Sequence, residues 1–198
     1  VVLPEGLKTI EYGAFASCAN LRSVSLPSTL QDLGSSTFYN CSALTAITLP
    51  QSLTKIESQC FYGCSGLTEI EIPSQVTSIE WGTFQNCTAL KSVTMYEGLT
   101  SVGASAFSGC EALTLVTLPE SVTELGGSVF SGCKNLTTVN LPQGITKIQN
   151  SLFYDCSSLA AITIPDSVLT IESSAFSGCS SLTEVEIPTG VSTIGSYA

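Results

Sequence analysis

Cysteine is the residue of this sequence with the widest chemical range, because a thiol can bind a metal, form a disulfide or act as a nucleophile. The chain contains nine Cys, and eight of them recur every 23 residues, each three positions after a Phe. The stretches "SAFSGCEALTLVTLP" (residues 105–119) and "SAFSGCSSLTEVEIP" (residues 174–188) show the pattern. Whether this Cys performs chemistry or fills space decides whether the protein has an active site at all.

The residues that accompany the Cys series argue against metal binding and catalysis. Zinc needs four nitrogen or sulfur ligands in a tetrahedron, usually from paired Cys, whereas this chain has no His and only one close pair, Cys60 and Cys64. A Cys nucleophile needs a base to form its thiolate, and that base is normally a His. We therefore expect no catalytic residue, no cofactor-binding residue and no metal ligand.

Disulfides between the Cys of neighbouring repeats are a third alternative. Stacked strands would place their Cα atoms about 4.8 Å apart, which a disulfide allows. Side chains in register point the same way, however, and the required dihedral of about 90° would twist the coils. Cys is also a small, weakly polar side chain that is often buried. The sequence therefore predicts a series of buried free thiols beside the Phe side chains.

The 23-residue period extends to the whole sequence. All eight Phe follow it, from Phe15 to Phe176, and so do the prolines from Pro4 to Pro188, with Tyr96 in the one gap. A constant period of this length is typical of a solenoid, in which stacked coils bury a shared core. Residues 1–198 are therefore predicted to form a single repeat solenoid of about 8.5 coils.

Each period predicts two strands and a corner. In "LTAITLP" (residues 44–50) apolar residues alternate with polar ones, which predicts a short strand that Pro ends. The stretch "SLTKI" (52–56) is a possible second strand on another side. The stretch "ESQCFYGCSG" (57–66) is either a turn or a short 3₁₀ or α-helical segment. We expect a parallel sheet on one face, with short strands and 3₁₀ or short helical corners on the others.

The complete pattern, F-x-x-C-x-x-L-x-x-[IV]-x-[LI]-P-x-x-[LV]-x-x-[IVL], resembles the BspA-like, or Treponema-type, leucine-rich repeat over residues 4–194. This resemblance implies a right-handed leucine-rich-repeat coil and a non-enzymatic, adhesin-like interaction module. It also implies a secreted or cell-surface location, although no signal peptide lies within this stretch. Common leucine-rich repeats carry an Asn three residues beyond the strand, whereas Thr29, Ser52 and their equivalents stand here, so no Asn ladder is expected.

Composition limits the kinds of partner. The chain has 16 Asp and Glu against 6 Lys and Arg, for a net charge of −10, and such a surface repels nucleic acid. No apolar run approaches the roughly 18–20 residues of a membrane span. Hydrophobic residues reach 43% and charged residues only 11%, which is not the composition of a disordered chain.

Only the outward positions that vary can determine which partner is bound, because packing fixes the residue types at the inward positions. On the strand that precedes Pro, we predict that these residues contact a protein or glycan partner, such as a host or matrix component: Arg22, Glu69, Glu71, Lys91, Leu115, Glu184 and Glu186. The Glu pairs suit a basic ligand or a divalent cation, but they are equally ordinary strand charges that discourage aggregation. Leu115 is either a contact point or a common exposed Leu.

Other functions remain open. No polar capping coil stands at either end, so the chain is expected to be a fragment of a longer array or to stack end to end into filaments. A column of outward Thr, from Thr54 to Thr146, could order water as ice-binding surfaces do, although Thr is also a good strand residue. Tyr39 and Tyr62 should stack on one another. Three Asn begin glycosylation sequons: Asn40, Asn86 and Asn135.

Overall fold

The computed structural model describes residues 1–198, and it is a stack of coils connected by short parallel strands. We number the coils 1 to 8, from residues 12–34 to residues 173–195, and call the contact between two neighbours a junction. The strands are β1 (Thr9–Ile10), β2 (Asp32–Leu33), β3 (Lys55–Ile56), β4 (Glu69–Glu71), β5 (Ser78–Ile79), β6 (Ser92–Thr94), β7 (Ser101–Val102), β8 (Leu115–Thr117), β9 (Glu124–Leu125), β10 (Thr138–Asn140), β11 (Lys147–Ile148), β12 (Thr170–Ile171) and β13 (Thr193–Ile194). The predicted solenoid is confirmed.

The strands form two faces. Face A contains β4, β6, β8 and β10, which precede Pro or, for β6, Tyr96 in the place of Pro, and face B contains the other nine. Every pair is parallel and joins neighbouring coils, so that partners are one period apart, as with Thr9 and Asp32. Face B forms three sheets of three strands, whereas face A forms only two pairs and the isolated bridge from Val2 to Ser25. The strands of face B, which the sequence indicates less clearly than those of face A, therefore form the sheets with more strands.

Glycine explains the close pairing on face B. A Cβ atom placed on Gly103 would lie 2.8 Å from the main-chain carbon of Glu80, the equivalent residue of the preceding coil. A Cβ atom placed on Gly126 would likewise lie 2.8 Å from the main-chain carbon of Gly103. The absence of a side chain at these positions lets the two backbones approach to hydrogen-bonding distance.

The corner that contains Phe, which we call the Phe corner, is a third hydrogen-bonded ladder. Within junction 2–3, the N–H groups of Ser36, Phe38 and Asn40 donate to the carbonyls of Ser58, Cys60 and Tyr62 at 3.0, 2.8 and 2.7 Å. Equivalent sets of three bonds recur at every junction from coil 1 to coil 8. Only this ladder runs unbroken through the stack.

The Phe corners are turns, which is one of the two alternatives that the sequence leaves open, and the expected 3₁₀ or short helical form of the corners is not found. Each corner has two residues of positive φ, two positions before and two after Phe, such as Ser36 (56°) and Asn40 (54°). A right-handed helical segment cannot contain such residues, because its backbone repeats one negative φ.

The protein has no helix of the length and apolar character that crossing a bilayer requires.

The core is one cluster of 49 buried residues that runs the length of the stack. The eight Phe rings form its central column, with centroids 5.4 to 6.0 Å apart and planes within 16° of parallel. The six rings from Phe38 to Phe153 are almost completely buried, whereas Phe15 and Phe176 at the ends are half-buried. One ring per coil therefore repeats at the spacing of the corner ladder.

Replacing Phe107 with Ala should lower the free energy of unfolding by about 3–5 kcal/mol, because the cavity lies in the middle of the column where neighbours cannot collapse into it. Urea unfolding monitored by circular dichroism measures the change. Ser108→Ala, at the neighbouring half-buried position, is the matched control and should stay within about 0.5 kcal/mol of the parent. A loss below about 1 kcal/mol for Phe107→Ala would show that the column is not the principal source of stability.

Candidate functional site

The structure buries eight of the nine Cys, as the sequence predicts, and leaves all nine as free thiols. Cys18 is the exception, because it is exposed. The prediction of buried thiols is therefore wrong for this one residue.

The thiols have a directional role that sequence reasoning missed. In coil 2, the Cys41 Sγ donates to the carbonyl oxygen of Phe15 in coil 1 at 3.1 Å. The same bond, at 3.1 to 3.2 Å, is made by six further residues: Cys64, Cys87, Cys110, Cys133, Cys156 and Cys179. The constant three-residue spacing from Phe to Cys is the sequence feature from which this bond could have been predicted. Each thiol supplies a weak donor to a buried carbonyl while remaining small enough for the core.

Burial also determines the reactivity of the thiols. Desolvation raises the pKa of Cys41 and Cys179 to about 11 and that of Cys60, Cys87 and Cys133 to about 12. The pKa values of the remaining buried thiols are also raised by desolvation: Cys64, Cys110 and Cys156. Metal binding and nucleophilic attack both need the thiolate, which these environments disfavour. Nowhere do three or more His, Cys, Asp or Glu side chains converge as a metal site requires.

Hydroxyl groups occupy the place of the Asn ladder. Ser52 Oγ donates to the carbonyl of Leu30 at 2.5 Å, and Ser121 Oγ donates to that of Leu99 at 2.7 Å. Thr29 and Ser167 make the equivalent bonds. The sequence correctly predicts that no Asn ladder exists, but it does not reveal that Ser and Thr tie the same turns to the preceding coil.

The column of outward Thr is likewise partly committed to the backbone. Thr54 Oγ1 donates to the carbonyl of Gln31 at 3.3 Å, and Thr100 Oγ1 donates to that of Thr77 at 3.1 Å. Leu169 stands in the same column and is 52% exposed. Hydroxyls that bond to their own backbone and an interrupting Leu make this column a poor template for ordered water.

The seven predicted partner-binding residues are all exposed, and all lie on or beside face A. They do not form one cluster. Glu69 and Glu71 lie in coil 3 and Glu184 and Glu186 in coil 8, five coils apart, which is about 24 Å at the usual strand spacing. The other three lie in coils 1, 4 and 5: Arg22, Lys91 and Leu115.

The first Glu pair lines an opening that we call cleft 1, between coils 2 and 3. Outward Ala46 and Thr48 of coil 2 face outward Glu69 and Glu71 of coil 3, and the volume between them is about 330 Å³. The coils are separated here because β4 pairs only with β6, on its other side. The inward Ile70 lies at the floor of the cleft and stays buried, with 4% of its surface exposed, whereas Ala46 is an exposed apolar residue of the cleft wall.

The second Glu pair lines an equivalent opening, cleft 2, between coils 7 and 8. Ala161 and Thr163 of coil 7 face Glu184 and Glu186 of coil 8 across about 560 Å³. Val185 is half-buried and lines the cleft, as Ile70 does in cleft 1. The pattern of Ala-x-Thr opposite Glu-x-Glu thus occurs twice, and both occurrences open a cleft with acidic and apolar walls.

Tyr96 is a site residue to which the sequence analysis assigns no role beyond its place in the one gap of the Pro series. Its Oη donates to Glu71 Oε1 at 2.8 Å, which positions that carboxylate at the rim of cleft 1. The hydrogen bond to Glu71 raises the pKa of the Tyr96 hydroxyl. The signal was its place in the one gap of the Pro series.

The predicted aromatic stack is confirmed on the outer side of the Phe corner. The rings of Tyr39 and Tyr62 are 4.6 Å apart and 6° from parallel. Asn86 Nδ2 donates to the Tyr62 hydroxyl at 3.1 Å. Because the two ring faces cover one another, this pair joins coils 2 and 3 and offers little ring surface to a ligand.

Comparisons with known proteins agree with this geometry. A family model described as "BspA type Leucine rich repeat region (6 copies)" matches residues 1–114 and 101–198. A leucine-rich repeat protein from Eubacterium ventriosum is 35% identical over 87% of this chain, with a TM-score of 0.73, and the chain spans only 46% of its length. The leucine-rich repeat protein of T. pallidum is 29% identical, with coverage of 93% of this chain and 78% of its own and a TM-score of 0.63.

A more distant structure shares the fold alone. The pneumococcal vaccine antigen PcpA is 20% identical, with a TM-score of 0.60 over 96% of this chain and 57% of its own. A comparison with curated proteins found no match.

Raising the pH should destabilise the protein, because the folded state holds thiol protons that the unfolded chain releases. The pKa values of Cys87 and Cys133 rise from 9.0 to about 12 on folding. Their stabilisation is therefore complete below pH 9 and is lost as the pH rises towards 12. Between these limits each thiol lowers the free energy of unfolding by about 1.4 kcal/mol per pH unit, which urea unfolding at pH 7, 9 and 10 measures.

Two variants isolate this effect from the titration of Tyr and Lys. The double variant Cys87→Ala and Cys133→Ala should have a pH slope that is shallower by about 2.7 kcal/mol per unit. Ser108→Ala removes no thiol and should leave the slope unchanged. Equal slopes for the double variant and its parent would contradict the assignment of the buried thiols.

Titration of the native protein with an aromatic disulfide reagent should detect one reactive thiol, because only Cys18 is exposed. The other eight should react only after denaturation. Cys18→Ser supplies the control and should abolish the rapid phase. Rapid reaction of several thiols in that variant would contradict the burial of the series.

Proposed function

The chain belongs to the BspA-type leucine-rich repeat family, and we propose that it is a surface-exposed module that binds a protein partner through face A. Leucine-rich repeat proteins are binding or scaffold modules and are typically not enzymes. The observation that carries the proposal is the double occurrence of an acidic cleft with an apolar wall on one exposed face. The seven outward residues predicted from the sequence are the proposed contacts, with the two Glu pairs as anchors.

The clefts suit basic side chains. The aliphatic stem of a Lys or Arg can lie along Ala46 in cleft 1 or Val185 in cleft 2 while its charged head meets the neighbouring carboxylates. A segment of about seven extended residues would span the 24 Å or so between the clefts. Occupation of both clefts by one partner would raise the affinity through effective concentration. A basic protein segment is therefore the preferred ligand, and a glycan is the alternative.

A secreted or cell-surface location forms part of the proposal. The family resemblance supports it, and the buried thiols are compatible with it because protonated, inaccessible Cys resist oxidation. Protease treatment of intact cells that produce the full protein tests this location. Complete protection of the protein until the cells are lysed would refute it.

A protein and glycan array, followed by titration of the best ligand, should identify a basic protein segment. For that ligand the variant Glu184→Lys with Glu186→Lys should bind at least tenfold more weakly, because the reversal turns attraction at cleft 2 into repulsion. Glu69→Lys with Glu71→Lys should have a similar effect at cleft 1. Calorimetry or surface plasmon resonance at low and physiological salt measures the loss.

A matched control separates local contact from net charge. Glu11 and Glu124 are exposed and lie outside both clefts, so Glu11→Lys with Glu124→Lys changes the net charge equally and should weaken binding by less than threefold. Equal losses of affinity in the control and cleft variants would show that the loss comes from long-range electrostatics and not from contacts in the clefts. Preferential binding of uncharged glycans that survives all the reversals would refute the basic-segment proposal.

A further inference from the structure

Junction 2–3 differs from every other junction between coils 1 and 8, because neither face has a strand pair there. On face A the coils are joined only just before β4, where the N–H and the hydroxyl of Thr68 donate to the carbonyl of Thr45 at 3.3 and 3.4 Å. On face B, β3 and β5 belong to different sheets, and on face A residues 46–48 do not pair with β4. Each of the other junctions is closed on at least one face by a strand pair. The stack therefore has one point at which both sheets are interrupted together.

Two backbone donors mark the interruption. The N–H groups of Thr77 and Glu80 make no hydrogen bond within the protein. Their equivalents one coil later, Thr100 and Gly103, donate to the carbonyls of Thr77 and Ile79 at 2.8 and 2.7 Å. The same two N–H positions are thus hydrogen-bonded across junction 3–4 and unbonded at junction 2–3.

The side chain of Glu80 provides a physical reason. The position holds Gly in coils 1, 4, 5 and 8, and in all four the ladder bond to the preceding strand forms. A Cβ atom on Gly103 would lie 2.8 Å from a main-chain carbon of the preceding coil, so a side chain there tends to hold the backbones apart. Glu57 and Glu172 do close their junctions, with bonds of 2.9 and 2.8 Å to Leu33 and Ile148, whereas Gln149, like Glu80, makes no such bond. Gly therefore guarantees closure at this position, whereas a side chain permits either state.

What joins coils 2 and 3 is concentrated at one edge. The Phe corner keeps its ladder, and the rings of Phe38 and Phe61 stack at 5.4 Å. Outside that column Tyr39 and Tyr62 stack at 4.6 Å. One continuously bonded edge with two faces that lack strand pairs is the arrangement of a hinge, in which rotation occurs about the bonded line.

We propose that junction 2–3 is a hinge, at which the segment up to coil 2 rotates relative to coils 3–8 about the Phe corner. The Tyr39–Tyr62 stack braces the axis from outside. Cleft 1 lies at the same junction on face A, so rotation changes the width of the cleft between Ala46 and Glu69. The hinge rests on backbone bonding alone and holds whether or not cleft 1 binds a partner.

Distances between spin labels test the hinge in the whole chain. In a Cys18→Ser background the buried thiols stay unlabelled, so labels enter only at introduced, exposed Cys. The pair Arg22→Cys and Thr137→Cys spans junction 2–3, whereas Thr68→Cys and Thr183→Cys has the same separation of five coils in the same column without spanning it. Electron paramagnetic resonance should give a distance distribution at least twice as broad for the first pair. Equal widths would refute the hinge.

Two further variants test its cause. Glu80→Gly removes the obstructing side chain and should narrow the spanning distribution to the width of the control pair, with hydrogen exchange at residue 80 slowed about tenfold. Tyr39→Ser with Tyr62→Ser removes the brace, using the residue found at equivalent positions 108 and 131, and should broaden the distribution further. If the spanning distance distribution of the Glu80→Gly variant stays as broad as that of its parent, the proposed mechanism is contradicted. The distance distribution of the control pair should be unaffected by either change.

Discussion

The unbroken hydrogen-bond ladder of the Phe corner is the constraint on which the rest of the molecule depends. Its bonds join every pair of neighbouring coils from coil 1 to coil 8, whereas each sheet face is interrupted. The Phe column adds a ring per coil at the same spacing, so backbone bonding and apolar burial reinforce one another. Because this edge holds every coil on its neighbour, the two faces are free to close or to open locally.

Small polar side chains extend this constraint by bonding backwards, to the coil before their own. The thiol of Cys87 reaches the carbonyl of Phe61, and the hydroxyl of Ser52 reaches that of Leu30. Each bond satisfies a main-chain oxygen and also fixes the position of one coil on another. The recurring Cys, which has the widest chemical range in the sequence, is therefore a structural donor whose burial removes its reactivity.

The surface features with functional promise arise where pairing fails. Clefts 1 and 2 lie where neighbouring strands of face A do not pair, and each places exposed carboxylates opposite an Ala-x-Thr segment. Interruption of the ladder thus produces both the proposed binding clefts and, at junction 2–3, the proposed hinge.

The sequence by itself determined the solenoid, its period, the inward residues and the stacking of Tyr39 on Tyr62, because a repeated coil must place equivalent residues in columns. It also identified the seven exposed positions of face A. It did not determine which junctions close, that the corners are turns, or that Tyr96 bonds to Glu71. Those features depend on how closely two backbones approach, and that distance is set by contacts between coils, such as the one at Gly103, which the residues of a single coil do not reveal.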